Sequence, residues 1–411
     1  MTTTPAMPVV RREGDAVVFE WDTEKVSIEL DRVTQERGTI LAEITIRTSL
    51  PGVGGHLHRG RLNLLSTSSR ATLARFLEGR TDGLGLDWPA FLEYAAVMAV
   101  DLLREGEPVV NLADLEPREE VRHRLHPVAP KGKPTEIFGD GGSGKSTLAD
   151  LWAISVHMGI EVAGFVPERA PVLILDWEED ADTHRDRQAA LCAGLSLEDV
   201  PPIFYRQCFG PLDQQADSLC RFIDREGVGL VIIDSVGASF GGEPESAELC
   251  IRQFGAIRSL RCTALLIDHV ARESKDHKPF GSAYKFNLAR SVWEIRRQQR
   301  AGENVLHMGL YNRKVNFGPL EQPIGLALHF EKGRITARRE DIRAVPELTE
   351  GLPLVDRVTL ALKDGPRDTT AVAEELDMGS NKIRAVLSRY KGHFVKVGAL
   401  WALRSGREES E

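Results

Sequence analysis

A chain of 411 residues, 42% hydrophobic and 27% charged, is long enough for two or three globular domains with sizeable cores. Its net charge of −9 excludes a uniformly basic nucleic-acid coat, so any contact with DNA or RNA has to be local. Residues 1–15 have no apolar run behind their basic residues, and no segment approaches the roughly 18 apolar residues of a membrane span. The five cysteines are odd in number and never in C-x-x-C spacing, so they read as buried thiols of a reducing compartment. A cytoplasmic protein without a membrane partner is expected.

Residues 14–50 alternate between apolar and polar side chains with turn residues between the runs, which predicts strands. Helical spacing follows over residues 69–79 and 88–103, giving an expected small α+β domain over residues 1–117. His56 and His58 are two residues apart but have no accompanying ligand cluster, so a solvated loop is expected rather than a metal site. Residues 118–134 are charged and rich in proline, with Pro117 just before them and Pro127, Pro130 and Pro134 within. They read as a linker.

Residues 139–146 satisfy the phosphate-binding pattern G-x-x-x-x-G-K-[ST] without a mismatch. Gly139, Gly141, Gly142 and Gly144 allow a tight backbone whose amides, with those of Asp140, Ser143 and Thr147, point at phosphate oxygens beside a helix N-terminus. Lys145 is expected on the β- and γ-phosphates of a nucleoside triphosphate, and Ser146 on Mg²⁺. Gly139, Gly141 and Gly144 also spell the dinucleotide fingerprint. That reading wants an acidic residue about 20 positions on, and the next strand ends too late, near Asp176.

Strands and helices then alternate, as in a parallel sheet covered on both faces. One apolar run ends at Asp176 and the acids Glu178, Glu179 and Asp180. A second ends at Asp234, the expected Walker B carboxylate that holds the Mg²⁺ shell with Ser146, and a third ends at His269. Residues 237–241 match the nucleophile-elbow pattern G-x-S-x-G, but no acid and histidine follow in hydrolase order and the P-loop would go unexplained.

This order of parts resembles the RecA-like superfamily, in the branch of ring-forming helicases that includes plasmid RepA and DnaB-type proteins, over about residues 135–340. The resemblance implies that Glu178 is the catalytic carboxylate orienting water, with Glu179 ranked second. The alternative is that both only cap the helix expected at 182–195. His269 would sense the γ-phosphate and signal to a channel loop at 271–282, where Lys275 and Lys278 contact DNA phosphates and Phe280 stacks or anchors. A second channel loop at 236–246 carries Glu243 and Glu245 and no cation. Arg313 and Lys314 would reach a neighbouring subunit's γ-phosphate, as arginine fingers do.

Beyond residue 352, three helical stretches and a terminal hairpin resemble a winged helix. Lys382, Arg384, Arg389, Lys391 and Lys396 form a local basic run with no acid between residues 381 and 396. The expected fold class is therefore α/β: a RecA-like P-loop core at 135–345, preceded by the α+β domain and followed by a winged helix at 352–405. The expected function is an ATP- and Mg²⁺-dependent DNA helicase or translocase. It would be a homo-oligomer, a hexamer by resemblance, with single-stranded DNA in the ring and duplex at the winged helix. An ATP-switched DNA-binding regulator and a KaiC-like scaffold ATPase remain open as alternatives.

Overall fold

The computed structural model describes residues 6–13, 16–106, 109–116, 121–242, 246–270, 283–349 and 352–404. The first five strands, Val9–Glu13, Ala16–Trp21, Val26–Glu36, Thr39–Thr48 and His56–Asn63, pair in sequence order as one antiparallel sheet. Alternation along Thr39–Thr48 buries Ile40, Ala42, Ile44 and Ile46 on one face. Helices Thr67–Arg80 and Trp88–Glu105 share that core through Leu77, Phe91 and Ala95. Ser66 and Asp87 cap them by accepting the backbone N–H of Ser69 and Ala90.

His56 and His58 lie in the fifth strand rather than in a loop, and the ring of His58 meets that of Phe76 at 5.6 Å between centroids. A five-stranded meander needs this segment to pair with Thr39–Thr48, which the glycines before it hid in the sequence. Among the described residues no group of three or more His, Cys, Asp or Glu could hold a metal ion.

The expected linker is also corrected. Within 118–134, His123–His126 and Ala129–Pro130 are strands that join Val166–Pro167 in a three-stranded sheet. Leu125, Val128 and Ala129 are buried in the same core as Trp152 and Phe165. The prolines suggested a linker, yet proline is tolerated where a strand is short or at an edge, and the apolar residues between them supply the packing.

The central sheet has nine strands. Its order is Phe204–Gln207, Val172–Asp176, Leu230–Asp234, Thr263–His269, Pro134–Gly139, Ser291–Gln298, Val305–Val315, Ile324–Glu331 and Arg334–Glu340. The first six run parallel to one another, and the last three extend the sheet with antiparallel pairings. The inner strands Val172–Asp176, Leu230–Asp234 and Thr263–His269 are apolar up to their carboxyl ends because each face has its own core. Val172, Ile174, Ile232 and Leu265 pack with helix Lys145–Met158, whereas Leu173, Leu175, Val231 and Ile233 pack with helices Leu212–Glu226 and Ala247–Ser259. The architecture is α/β with a large, mostly parallel sheet.

Beneath the P-loop strand, Glu136, Asp268 and Lys285 are fully buried together. Lys285 Nζ ion-pairs with Asp268 without hydrogen-bond alignment and lies 5.6 Å from the ring centre of Phe240. Burial, reinforced by the Asp268 charge, raises the Glu136 pKa well above the ordinary carboxylate value. Lys285→Ala would leave Asp268 uncompensated, so denaturant titration is expected to show a loss of about 3–5 kcal/mol. A loss below about 1 kcal/mol would show that water or relaxation replaces the pair.

The N-terminal sheet meets the core through Arg221, whose guanidinium donates to Glu29 at 3.2 Å and Asp31 at 2.6 Å. The C-terminal part comprises helices Leu354–Ala361, Thr369–Glu375 and Ser380–Arg389 and the hairpin Phe394–Val397 with Leu400–Leu403. Val358, Val372, Ile383, Leu387 and Phe394 form its core. All five cysteines are thiols rather than disulfides, and four are buried. Among the described residues no helix is long and apolar enough to cross a membrane.

Candidate nucleotide site

Strand Pro134–Gly139 runs fully buried to its carboxyl end and passes into the glycine loop. The chain must turn there against the neighbouring strand: a Cβ on Gly139 would lie 2.5 Å from the carbonyl oxygen of Ile295. Gly144, at φ +82°, takes the left-handed conformation that starts helix Lys145–Met158, so the loop amides and the helix N-terminus face one space. Asp140 and Gly141 are exposed, and Ser143 is buried. Arg297 braces the loop, Nη1 donating to the Gly142 carbonyl at 2.9 Å.

Lys145 is buried, and its Nζ donates to the carbonyls of Gly139 at 2.8 Å and Asp140 at 2.9 Å. Burial lowers its pKa, while the charges of Asp234, Asp268 and Glu178 work in the other direction. Ser146, in the first turn, hydrogen-bonds Asp234. In register, Asp176 pairs with Asp234, and Asp234 with Ile267, which sets acids at the carboxyl ends of adjacent strands. Burial of Asp234, with Glu178 and Asp176 nearby, pushes its pKa up to about 6 against the Ser146 hydrogen bond. A hydroxyl and a carboxylate form a hard oxygen pair, which fits a cation that completes its shell with phosphate and water, as Mg²⁺ does.

Both expected glutamates reach the cleft but differ in their bonding. Glu178 Oε1 accepts from Ser235 Oγ and lies 3.3 Å from His269 Nε2. The His269 hydrogen bond, with that from Ser235, holds the Glu178 pKa below its ordinary value against burial, and the same contact raises that of His269. Glu179 is engaged elsewhere: Arg187 Nη2 donates to its Oε2 at 2.6 Å. Neither glutamate caps the next helix, Ala181–Gly194. Asp180 does so, accepting from Thr183 N at 2.8 Å.

A cleft of about 520 Å³ gathers residues 142–147 with Glu178, Glu179, Asp234 and His269. Arg187, Gln299, Leu306 and Phe330, which the sequence reading passed over, also line it. Arg187 sits on helix Ala181–Gly194, which the sequence predicts but marks with no motif at that position. The other three come from the antiparallel strands and their turns, with no motif to mark them.

Arg313 and Lys314 do not reach this cleft in their own chain. They lie near the end of Val305–Val315 that pairs with Ser291 and Val292, opposite the start of the P-loop strand. Arg313 pairs with the buried Glu294 and stacks over Tyr311, whereas Lys314 Nζ donates to the carbonyls of Phe286, Asn287 and Ala289 at 2.7–2.8 Å. Lys275, Lys278, Phe280, Glu243 and Glu245 lie outside the described residues. Lys382, Arg384, Arg389 and Lys391 are all exposed on or just beyond the last helix, whose Ile383 and Leu387 face inward. Ser239 of the G-x-S-x-G match is fully buried and donates to the Val236 carbonyl at 2.8 Å, so it offers no nucleophile.

The AAA domain family profile matches residues 103–275. The DNA repair and recombination protein RadA of Ignicoccus hospitalis is 32% identical over 125 residues, covering 29% of this chain and 38% of that protein. The chain thus spans well under half the length of that relative. A KaiC-like protein of Pyrococcus horikoshii aligns over 53% of this chain and 99% of its own, at 15% identity and a TM-score of 0.39. Residues 103–275 are thus similar to an AAA domain, and the glycine loop opening helix Lys145–Met158 has the geometry of a phosphate-binding loop.

Proposed function

We propose that this chain is an ATP-hydrolysing motor that acts on DNA as a ring-forming helicase or translocase. The observation that carries the hydrolytic half is the Glu178–His269 contact in the cleft that holds Lys145, Ser146 and Asp234. Lys145 would exchange its loop carbonyls for the β- and γ-phosphate oxygens, and the loop amides would take the remaining charge. Ser146 and Asp234 would hold Mg²⁺, which neutralises charge developing on the phosphates. Glu178, kept ionised by its donors, would orient water and accept its proton.

The DNA half rests on the exposed cations of helix Ser380–Arg389 and its surroundings, in three helices and a hairpin that we read as a winged helix. Arg313 and Lys314 could serve a neighbour's site only by leaving Glu294 and the end of helix Ala283–Leu288. The placement of these described cations on the C-terminal helix, away from the ATP cleft, favours an ATP-switched DNA-binding regulator as the second reading.

ATPase turnover with and without single-stranded DNA, followed by unwinding of a forked duplex, separates the readings. Stimulation with unwinding is expected. DNA binding without stimulation or unwinding would leave the regulator, and indifference to DNA would overturn both in favour of a scaffold ATPase.

A further inference from the structure

A buried ionic cluster ties the phosphate-binding helix to the glutamate-bearing turn. His184, on helix Ala181–Gly194, is buried between two carboxylates. Its Nδ1 lies 3.0 Å from Asp150 Oδ1 on helix Lys145–Met158, and its Nε2 lies 3.1 Å from Asp176 Oδ2 at the end of strand Val172–Asp176. Asp150 also accepts from Gln188 at 2.9 Å and Arg187 at 3.0 Å, and Tyr205 donates to Asp176 at 3.1 Å. Asp176 in turn accepts the backbone N–H of Glu178 at 2.8 Å and of Glu179 at 3.1 Å. An uninterrupted path therefore runs from the P-loop helix through the imidazole to the backbone that aims Glu178.

We propose that His184 is a positioning residue for hydrolysis, clamping Asp150 to Asp176 so that the Glu178 carboxylate is held at a fixed distance from the phosphate-binding loop. The proposal rests on the ATPase reading above and adds a determinant of rate that touches neither nucleotide nor Mg²⁺. Two acids about 3 Å from the two ring nitrogens require donors at both ends, which only the doubly protonated ring supplies. Burial alone would lower the His184 pKa. The hydrogen bonds to Asp150 and Asp176 overcome that and raise it to about 10, while the Arg187 charge opposes them. A plain packing histidine needs neither partner. Here one lies on the helix that follows the phosphate-binding loop and the other at the end of the strand that leads into Glu178.

Steady-state ATPase kinetics and ADP binding in Mg²⁺ buffer test the clamp on the full chain, with His184→Ala, His184→Gln and Asp150→Asn. The expected result is a fall in kcat of roughly 10–100-fold for His184→Ala, with ADP affinity within about threefold of the parent. Partial recovery is expected in the Gln variant, which keeps one donor, and in Asp150→Asn, which keeps an acceptor. An unchanged kcat, or parallel losses of ADP affinity and kcat in these soluble variants, would overturn the proposal. Should the alanine variant not fold, the other two decide by the same criteria. Nitrogen NMR of histidine-labelled parent protein supplies a readout independent of turnover. One ring, absent in His184→Gln, is expected to stay protonated on both nitrogens at pH 8, and a neutral ring there would overturn the clamp. A parent protein that shows this signal but hydrolyses no ATP would sink the ATPase reading, and with it the role in rate, while leaving the ionic bridge from Asp150 to Asp176 established.

Discussion

Glu178→Gln is expected to lower ATP turnover by roughly 10²–10⁴-fold, the range associated with loss of a general base, while ADP binds within about threefold of the parent. The physical reason lies in how the carboxylate is held. Ser235 and His269 bond its Oε1, and the His269 contact is the leading cause of its lowered pKa, so it is ionised and able to accept a proton at neutral pH. Glutamine keeps the shape and the bond to Ser235 but cannot take a proton from water. Because Lys145, Ser146 and the loop amides are untouched, binding and rate should separate. Glu179→Gln is the informative control: its carboxylate is committed to Arg187, so its loss should affect rate less than that of Glu178. A larger fall for Glu179→Gln would reassign the base.

Asp234→Asn is expected to abolish Mg²⁺-dependent turnover and yet stabilise the nucleotide-free fold. The Asp234 carboxyl is buried, and burial with nearby acids raises its pKa from 3.8 to about 6. The sign follows from linkage. Well below the unfolded value of 3.8 the group is neutral both folded and unfolded and contributes nothing. As pH rises from about 4 to 6, the unfolded chain releases its proton more readily than the folded one, so stability is lost. Above about 6 the full penalty remains, at most about 3 kcal/mol for a shift of this size. Asparagine removes the charge and can still accept from Ser146. Thermal melts at pH 7.5 without Mg²⁺ should therefore rise by several degrees, at roughly 2–4 °C per kcal/mol for a domain of this size. The gain should shrink as pH falls from about 6 and vanish well below 3.8. In the parent, protons should compete with Mg²⁺ as pH falls through about 6. A melting point lowered at pH 7.5 would show that the charged carboxylate is stabilised by contacts that outweigh its burial.

Much of the site was legible because its parts are local. A glycine loop followed by Lys145 and Ser146 has to be contiguous to wrap a phosphate. An apolar run ending in Asp234 or His269 marks a buried parallel strand with a polar residue at its carboxyl edge. The linker over 118–134 was misread for the opposite reason. Leu125, Val128 and Ala129 are too few to show a period, and their partner Val166–Pro167 lies about forty residues away. The G-x-S-x-G match failed because five letters carry no information on burial, and Ser239 is fully enclosed.

The sequence by itself determined the groups on offer: a glycine loop of phosphate-binding pattern, the hydroxyl of Ser146 and the carboxyl of Asp234, acids after the next strand, and an α/β core to carry them. These follow from short-range pattern, since each motif is completed within a few residues. Only the tertiary structure decided how those groups are employed. It set Glu178 on Ser235 and His269 while Arg187 took Glu179, and it turned Arg313 and Lys314 onto partners in their own chain. It also placed His184 between acids 34 residues before it and 8 residues before it. Such choices depend on which side chains the sheet brings within about 3 Å of one another, a distance that spacing along the chain does not encode.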